Sequence, residues 1–238
     1  TYHFMTEKFT IIIPIYNEID AIFPLIDEIN KEFSLETPEI IIVDDGSNDN
    51  FLKKFDKTKK YKNTTVKRHK KNLGKSAAMI TGVKSAKNNI LVFMDGDGQN
   101  PPSEVRKLIN KWHELKRGNK KSFLVCGNRI KRKDNLIKRL SSRFANSLRK
   151  YILNDNCNDT ACALKALEKK DYLKLKYFRN MHRFLPALFI MKNIEIVNLP
   201  VKDRPRTLGK SKFNFHNRFW VGIVDLVRVW NLIRKERN

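Results

Sequence analysis

Short apolar runs alternate with amphipathic stretches over the first half of the chain. The runs predict five strands, over residues 9–13, 39–43, 64–68, 90–94 and 122–126. We expect Pro14 to end the first strand, because proline has no N–H to donate to a sheet. Helices are predicted between the strands, over 20–33, 49–60, 75–87 and from Pro101-Pro102 onward. This alternation predicts an α/β fold with a mostly parallel sheet and helices on both faces.

A different pattern begins after residue 134. The sequence predicts a basic amphipathic helix over 136–153, an apolar helix over 182–191, a strand over 194–201 and a final amphipathic helix over 215–233. In the final helix we expect one broad apolar face, formed by Phe219, Trp220, Ile223, Val227, Trp230 and Ile233. We expect Arg218, Asp225 and Arg228 to lie off that face.

The composition is that of a globular protein in a reducing compartment. The 238 residues allow one domain, or one domain with a small extension, and 41% of them are hydrophobic. The three cysteines are too few for a disulfide scaffold and lack metal-ligand spacing. The longest uncharged run, from Phe9 to Asn17, is far shorter than the ~18 apolar residues that cross a bilayer, so we expect no transmembrane span.

A formal net charge of +24 indicates an anionic partner. Nucleic acid, an anionic membrane and phosphorylated substrates all fit such an excess, and compositional drift is the alternative without function. The basic residues cluster over 116–121, 129–133, 138–150 and 204–212. The sequence has no helix-turn-helix, zinc-finger or RNA-recognition motif, so we expect no nucleic-acid partner.

Polar residues follow the predicted strands at their carboxyl ends. They are Tyr16-Asn17-Glu18, Asp44-Asp45, the segment 95–99 and Arg129. Ligand sites in parallel sheets lie at that edge, whereas a lone Asp-Gly pair is ordinary turn chemistry. Three acidic clusters at one edge favour a cation, and Asp95, Asp97 and Gln99 offer the oxygen ligands that suit Mg²⁺ or Mn²⁺. The basic segment 204–212 would hold phosphate oxygens from the other side.

Four motifs, in order along the chain, carry a resemblance to a known family. They are Ile-Pro-Ile-Tyr-Asn-Glu at 13–18, Val-Asp-Asp-Gly-Ser at 43–47, Asn-Leu-Gly-Lys at 72–75 and Asp-Gly-Asp-Gly-Gln at 95–99. Together they resemble the family 2 glycosyltransferases, which have a GT-A fold, and more narrowly the dolichol-phosphate mannosyltransferase-like branch. Further matching positions extend the resemblance to about residue 230. We expect a catalytic domain over 7–213 and a C-terminal amphipathic helix over 214–238.

The resemblance also implies roles for individual residues. The nucleotide sugar would be bound by Pro14, Tyr16, Glu18, Asp44, Asp45, Gly74, Asp95 and Gly96. A Mg²⁺ or Mn²⁺ ion would be held by Asp95, Asp97 and Gln99, and the chemistry would involve Asp97, Asp159, Arg206 and Lys212. The acceptor phosphate would be bound by Arg129, Arg143 and Ser147. Gly98 stands where leucine is more usual in the family, and we expect it to loosen the metal-binding loop.

The reaction implied by the resemblance is an inverting transfer of a hexose from a UDP- or GDP-sugar to a polyprenyl phosphate, such as dolichyl or undecaprenyl phosphate. Because that phosphate is already anionic, catalysis would rest on positioning and on stabilising the leaving diphosphate. A lipid or glycan hydroxyl is the alternative acceptor, and it would require a base. His182-Arg183 stands where some members have an acidic residue, which favours an anionic acceptor. The alternatives without catalysis are a nucleic-acid-binding protein and a membrane scaffold.

The basic flanks of the final helix suit an anionic membrane surface. Arg218, Arg228 and Arg234 accompany Trp220 and Trp230, as in helices that lie in the interface of a leaflet. We therefore expect peripheral attachment to the cytoplasmic face of the membrane, and packing of the apolar face on the sheet is the alternative. His182 and His216 have no evident partners, so we expect them to be structural.

Overall fold

A computed structural model describes residues 7–118, 121–130, 149, 152–153, 155–206 and 225–235. The strands in these residues are β1 (Phe9–Ile15), β2 (Glu39–Asp44), β3 (Thr64–Arg68), β4 (Ile90–Phe93), β5 (Phe123–Arg129), β6 (Lys165–Glu168) and β7 (Glu195–Val201). The helices are α1 (Ile19–Glu32), α2 (Phe51–Thr58), α3 (Lys75–Ser85), α4 (Pro102–Arg117), α5 (Lys169–Leu173) and α6 (Leu185–Met191).

The strands form one sheet in the order β3-β2-β1-β4-β6-β5-β7. Parallel pairs join β1 to β2 and β4, β2 to β3, and β5 to β7, whereas β6 runs antiparallel to β4 and β5. The predicted α/β fold with a mostly parallel sheet is confirmed. The sequence pattern does not reveal β6, because this short strand begins with Lys165 and ends with Glu168, and both are buried. Lys116 and Lys170 neutralise Glu168 there.

Helices pack on both faces of the sheet. On one face, Ile26 of α1 and Trp112 of α4 belong to a buried cluster that includes Ile13 of β1. On the other face, Met79 of α3 packs in a second cluster with Ile12 of β1. Because successive side chains of a strand point to opposite faces, β1 contributes to both clusters. This burial fixes the carboxyl end of β1 within the fold.

Pro14 lies inside β1, so the prediction that it ends the strand is wrong. Backbone groups of β1 face its two neighbours alternately: Ile12 O accepts a hydrogen bond from Met94 N, and Ile15 O accepts one from Asp45 N. Pro14 shares the orientation of Ile12, toward β4. Pairing with β4 ends at Ile12, so the missing N–H of Pro14 costs the sheet no hydrogen bond.

The apolar segment predicted as one helix over 182–191 is divided in two. Met181–Arg183 forms a 3-10 turn, and α6 begins at Leu185 with proline in its first turn, where no helical N–H is lost. The strand predicted over 194–201 is confirmed as β7. The helix predicted over 136–153 lies largely outside the described residues, and the described residues within it, at 149 and 152–153, are helical.

The final helix is described over 225–235 and is helical there. Its predicted apolar face is wrong in part: Val227 and Trp230 are 51% and 40% exposed, whereas Val229 and Ile233 are buried with the side chains of α3 and α6. Asp225, expected to lie off the buried face, is itself buried and hydrogen-bonded. Two residues four positions apart therefore set the buried face, and Trp230 lies at its margin, partly exposed. The division of the chain after residue 213 stays a prediction.

Two observations over the described residues concern membrane spans and cysteines. No helix among them has the length and apolar character that crossing a bilayer requires. Cys126, Cys157 and Cys162 are all buried and none forms a disulfide. Burial is the main cause that raises the pKa of the Cys162 thiol, so this thiol stays protonated at neutral pH.

Candidate active site

The loops that follow β1, β2 and β4 meet at one edge of the sheet, which we call the carboxyl edge. Asn17 N donates to Ser47 Oγ and Asn48 N donates to Asn17 Oδ1, both at 2.8 Å, so the first two loops are held together. The third loop lies against the end of β1, because a Cβ on Gly96 would come within 2.5 Å of Ile15 Cγ2. Gly96 is therefore needed for this close approach, and the three loops form one surface.

The two aspartates at the end of β2 bind residues of the neighbouring loops. Asp44 is fully buried, and its Oδ1 accepts a hydrogen bond from Ser47 N at 2.8 Å. Asp45 is bonded at the loop that opens α3, to Leu73 N (2.9 Å), Gly74 N (2.8 Å) and His69 Nδ1 (2.7 Å). Gly74 has a φ of +94°, a conformation that favours glycine. Both carboxylates are thus engaged by the protein, and they shape the edge on which a ligand would lie.

Asp95 and Asp97 follow β4 and differ in their surroundings. Lys75 Nζ forms an ion pair with Asp95 Oδ1. Burial raises the pKa of Asp97 above its usual value, and the negative charges of Asp95 and Glu18 add to the rise. The N–H of Gln99, 3.1 Å from Asp97 Oδ1, acts in the opposite direction. Asp97 is therefore a partly buried carboxyl with two other carboxylates near it, and its ionisation is disfavoured mainly by burial.

A divalent cation suits a pair of neighbouring carboxylates such as Asp95 and Asp97. No group of three or more His, Cys, Asp or Glu side chains within the described ranges is arranged to hold a metal. Asp95 and Asp97 supply two carboxylates, a set that fits Mg²⁺ or Mn²⁺ when water or phosphate oxygens provide the other ligands. The raised pKa of Asp97 supports this fit, because a nearby cation would favour the ionised carboxyl.

A basic segment returns from β7 to the carboxyl edge. Arg206 forms an ion pair with Glu18, and its charge also acts on Asp97. Arg204 Nε donates to Gly98 O at 2.6 Å. Gly98 has a φ of +74°, a conformation that favours glycine, and its carbonyl is held by an arginine. The expectation that it loosens the metal-binding loop stays a prediction. Cationic and anionic groups thus meet at this edge, as the motifs predict.

A second charged pair lies at the end of β5. Arg129 Nε and Nη2 donate to the two carboxylate oxygens of Asp159, at 2.6 and 2.9 Å. Burial acts to lower the pKa of Arg129, but the hydrogen bonds and charge of Asp159 outweigh it and raise that pKa. Arg129 is therefore a permanent cation, held in place by a bidentate partner.

Of the predicted site residues, Arg143, Ser147 and Lys212 lie outside the described residues. Pro14 and Tyr16 lie at the end of β1 and just beyond it, and Tyr16 is 38% exposed. His182 has a partner that the sequence does not indicate, since its Nδ1 lies 2.8 Å from Ser76 Oγ in the first turn of α3. This contact supports the structural role expected for His182. His216 is also outside the described residues.

Sequence reasoning missed three charged residues at the site. Lys75 belongs to the motif at 72–75, and its charge beside three acidic clusters was the available signal. Arg204 lies in the basic segment but had no feature to distinguish it from its neighbours. Arg149 is buried beneath the loop that carries Asp159, where its Nε lies 2.8 Å from Asp155 Oδ2. Nothing in the basic stretch 138–150 separates Arg149 from the other cations there.

Comparison with known proteins identifies the family. Residues 10–179 match the model of Glycosyl transferase family 2. The chain belongs to glycosyl transferase family 2. Among curated relatives of this family 2 chain is dodecaprenyl-phosphate galacturonate synthase of Rhizobium johnstonii, 30% identical over 235 residues, which cover 95% of this chain and 68% of that protein.

Solved structures share the fold of this family 2 protein. Mannosyl-3-phosphoglycerate synthase of Rubrobacter xylanophilus aligns with a TM-score of 0.72 and 14% identity, covering 97% of this chain and 75% of the other. Glucosyl-3-phosphoglycerate synthase of Mycobacterium tuberculosis, in complex with Mn²⁺, UDP-glucose and phosphoglyceric acid, aligns with a TM-score of 0.67 and 16% identity, covering 95% and 79%. Both are glycosyltransferases, and they support the GT-A fold expected from the motifs.

Proposed function

We propose that this family 2 glycosyltransferase moves a hexose from a nucleoside diphosphate sugar to a polyprenyl phosphate, with inversion at the anomeric carbon. The observation that carries the proposal is the pairing of an acidic site at Asp95 and Asp97 with two separate fixed cations, Arg206 and Arg129. One cation suits a leaving diphosphate and the other an anionic acceptor. The similarity to a relative named for dodecaprenyl-phosphate galacturonate synthesis supports the lipid acceptor.

The donor would lie along the carboxyl edge. Pro14, Tyr16, Glu18, Gly74, Asp95 and Gly96 would form its binding surface, and Tyr16 offers an exposed ring. Asp44 and Asp45 are buried and would support that surface from within the fold. Arg206 forms an ion pair with Glu18, and its charge acts on Asp97. When the donor binds, a diphosphate oxygen would replace Glu18 as the partner of Arg206. Lys212, in the same basic segment, would act with it.

The same edge would hold the metal ion. Asp95, Asp97 and Gln99 are the residues proposed to bind Mg²⁺ or Mn²⁺. When bound, such an ion neutralises charge on the diphosphate as it leaves. Asp97 would bind the ion as an ionised carboxylate. The ion pair between Lys75 and Asp95 would break, so that Asp95 could bind the ion as well. A neighbour of the same fold in complex with Mn²⁺ and UDP-glucose supports a divalent ion.

The acceptor phosphate would bind at Arg129, with Arg143 and Ser147. A phosphate oxygen of the acceptor attacks C1 of the sugar, the bond from C1 to the diphosphate oxygen breaks, and the nucleoside diphosphate leaves with that electron pair. No base is required, because the attacking oxygen is already anionic. Asp159 suits this scheme, since both of its oxygens are bonded to Arg129, and it would orient the cation rather than take a proton.

The C-terminal helix would hold the protein on the cytoplasmic face of a membrane. Val227 and Trp230 are exposed on it, and the guanidinium of Arg234 lies 5.5 Å from the centre of the Trp230 ring. Amphipathic aromatic rings next to arginines are typical of helices that lie in the interface of an anionic leaflet. The basic stretch around 136–150 would add charge to the same attachment.

A panel of nucleotides tests the donor. Thermal unfolding is measured with UDP, GDP, CDP and dTDP, each with and without Mn²⁺. A rise in Tm with one nucleotide that depends on metal is expected, because binding to the native state stabilises it. A transfer assay with the matching UDP- or GDP-sugar and undecaprenyl phosphate then tests the acceptor. A protein that unfolds cooperatively but responds to no nucleotide would contradict the proposal and favour a membrane scaffold.

A further inference from the structure

One arginine of the basic segment is held from three directions. Arg204 Nε donates to Gly98 O at 2.6 Å, its Nη2 pairs with Glu28 Oε2 at 2.7 Å, and its backbone N donates to Gln99 O at 2.9 Å. These contacts join the segment to α1 and to the loop after β4. We infer that Arg204 is a positioning residue, which fixes where Arg206 stands relative to Asp97 in donor binding. The inference rests on the proposed function, in which Arg206 holds the leaving diphosphate.

The connection between the two arginines is short and stiff. Only Pro205 separates Arg204 from Arg206. Proline fixes its own φ near about −65° and also restricts the residue before it to extended conformations. With Arg204 anchored, few backbone torsions remain to move Arg206. The position of the Arg204 side chain is therefore transmitted to the guanidinium that pairs with Glu18 and acts on Asp97.

Gly98 completes the anchor. Its φ of +74° is accessible to glycine at little cost, and its carbonyl accepts the hydrogen bond of Arg204. Space does not require glycine here, because a Cβ would find its nearest neighbour, Arg204 Nη2, at 4.0 Å. The backbone conformation favours glycine at this position. Gly98 and Arg204 thus act as a pair that couples the proposed metal loop to the basic segment.

Arg204 is suited to anchoring rather than to binding the donor. Its charge is balanced by Glu28, and a second N–H of its guanidinium is used by Gly98 O. If Arg204 were a donor ligand, removing the Glu28 carboxylate would free its cation and leave nucleotide binding unchanged or stronger. If Arg204 is an anchor, the same change releases the segment and weakens binding. The two roles therefore predict opposite effects of Glu28→Gln.

The chain offers a matched control on the same helix. Arg106 also bonds α1, with Glu32 at 2.5 Å, Glu36 at 3.1 Å and the backbone oxygen of Glu32. Glu32 lies four residues after Glu28 on α1. Arg106→Ala removes ion pairs and a bond to a backbone oxygen, as Arg204→Ala does, together with a contact between its guanidinium and the Phe33 ring, on α4 and away from the carboxyl edge. Arg106→Ala should lower Tm at least as much as Arg204→Ala, so weaker nucleotide binding in Arg204→Ala alone would report positioning and not folding.

The test is nucleotide affinity by isothermal titration calorimetry, with UDP and GDP and with and without Mn²⁺. For the nucleotide that the natural chain binds, we expect Arg204→Ala and Glu28→Gln to weaken Kd by about tenfold, the order of effect that a small misplacement of a binding group produces. Arg106→Ala should leave Kd within about twofold, the effect expected for a distant and independent site. Unchanged affinity in Arg204→Ala, or stronger binding in Glu28→Gln, would overturn the inference.

A double-mutant cycle separates an anchor from a ligand. If Arg204 acts through Arg206, Arg204→Ala should change Kd little once Arg206 has been replaced by alanine. An equal loss in both backgrounds would mean that Arg204 contacts the nucleotide directly, and the inference would be wrong. A natural chain that binds no nucleotide would refute the proposed function and this inference together. Nucleotide binding that is insensitive to Arg204→Ala would refute the inference alone.

Discussion

Lys75 Nζ forms an ion pair with Asp95 Oδ1, and so joins the first residue of α3 to the loop after β4. The two side chains are 33% and 34% exposed. An ion pair this accessible to water contributes at most about 1 kcal/mol. Lys75 is therefore a weak competitor for Asp95, one that a divalent cation displaces at small cost.

Replacing Lys75 by methionine should strengthen Mn²⁺ binding by up to about fivefold, because the ion pair that must break is worth no more than about 1 kcal/mol. The measurement is Mn²⁺ affinity by calorimetry in the absence of nucleotide. Lys111→Met is the control, since Lys111 pairs with Glu114 at 2.6 Å on the surface of α4. Weaker Mn²⁺ binding in Lys75→Met would mean that the lysine supports the site and does not compete for it.

Asp97→Asn should reduce sugar transfer at least about a hundredfold, the effect of removing one group that stabilises the transition state. It should also change how stability depends on pH. The pKa of Asp97 is raised in the folded protein, chiefly by burial, so ionisation of this carboxyl disfavours the native state. The stability of the natural chain relative to Asp97→Asn is therefore highest below the ordinary pKa of 3.8 and falls as pH rises through the raised value.

Chemical denaturation of both proteins, without metal, at pH 7 and near pH 4 measures this difference. The stability of Asp97→Asn relative to the natural chain should be greater at pH 7 than near pH 4. A difference in stability that is the same at both pH values would show that folding does not raise the pKa of Asp97. The argument for a cation at this position would then lose its support.

The architecture was readable from the sequence because local patterns determine it. Strands such as β1 and β2 are runs of isoleucine that no helix periodicity explains, and the polar residues behind them had to lie at one edge once the sheet was parallel. The sequence does not show whether Pro14 ends β1, because that depends on where pairing with β4 ends, a property of the neighbouring strand. The sequence pattern does not show β6 because a charged residue lies at each of its ends, and the ion pair between Lys116 and Glu168 that helps to bury one of them joins residues far apart in the chain.

The site was only partly readable, for a related reason. Motifs indicated the acidic residues, but the partner of each is set by the fold: Glu28 and Arg204 are 176 positions apart. Arg129 and Asp159 were each singled out, yet nothing in the sequence indicated that they bind one another. For the final helix, the spacing of apolar residues allowed more than one buried face, and packing against α3 and α6 selects the face of Val229 and Ile233.

Arg129→Ala should impair the acceptor rather than the donor. Asp159 engages two of the five guanidinium N–H groups of Arg129, so donors remain for a phosphate. Losing a charge-assisted hydrogen bond should raise the KM for polyprenyl phosphate by roughly tenfold and leave the KM for the nucleotide sugar nearly unchanged. Steady-state kinetics with each substrate varied in turn measures both values. Equal effects on the two KM values would contradict the acceptor assignment.

The same substitution should also destabilise the fold, by roughly 3 kcal/mol, because it removes the guanidinium that pairs with the buried Asp159 carboxylate. The double variant Arg129→Gln with Asp159→Asn keeps hydrogen-bonding groups but removes both charges. Its stability should recover toward that of the natural chain, while the KM for polyprenyl phosphate should stay high. If both the stability and the KM for polyprenyl phosphate returned to the values of the natural chain, the pair would serve only the fold.

Trp230→Ala should weaken binding to vesicles that contain anionic lipid, and because the side chain is 40% exposed it should cost less free energy of unfolding than the roughly 3–5 kcal/mol lost when a buried tryptophan is truncated. Val229→Ala is the matched control: this neighbouring residue is fully buried, so the change should cost roughly 2 kcal/mol of stability and leave vesicle binding unchanged. Cosedimentation should show that binding of the natural chain falls as salt rises, since a chain with a net charge of +24 is attracted through a field that salt screens. Binding that does not depend on salt but is lost in Trp230→Ala would assign the attachment to apolar insertion alone. Binding that persists in Trp230→Ala at low salt and disappears at high salt would assign it to the basic surface.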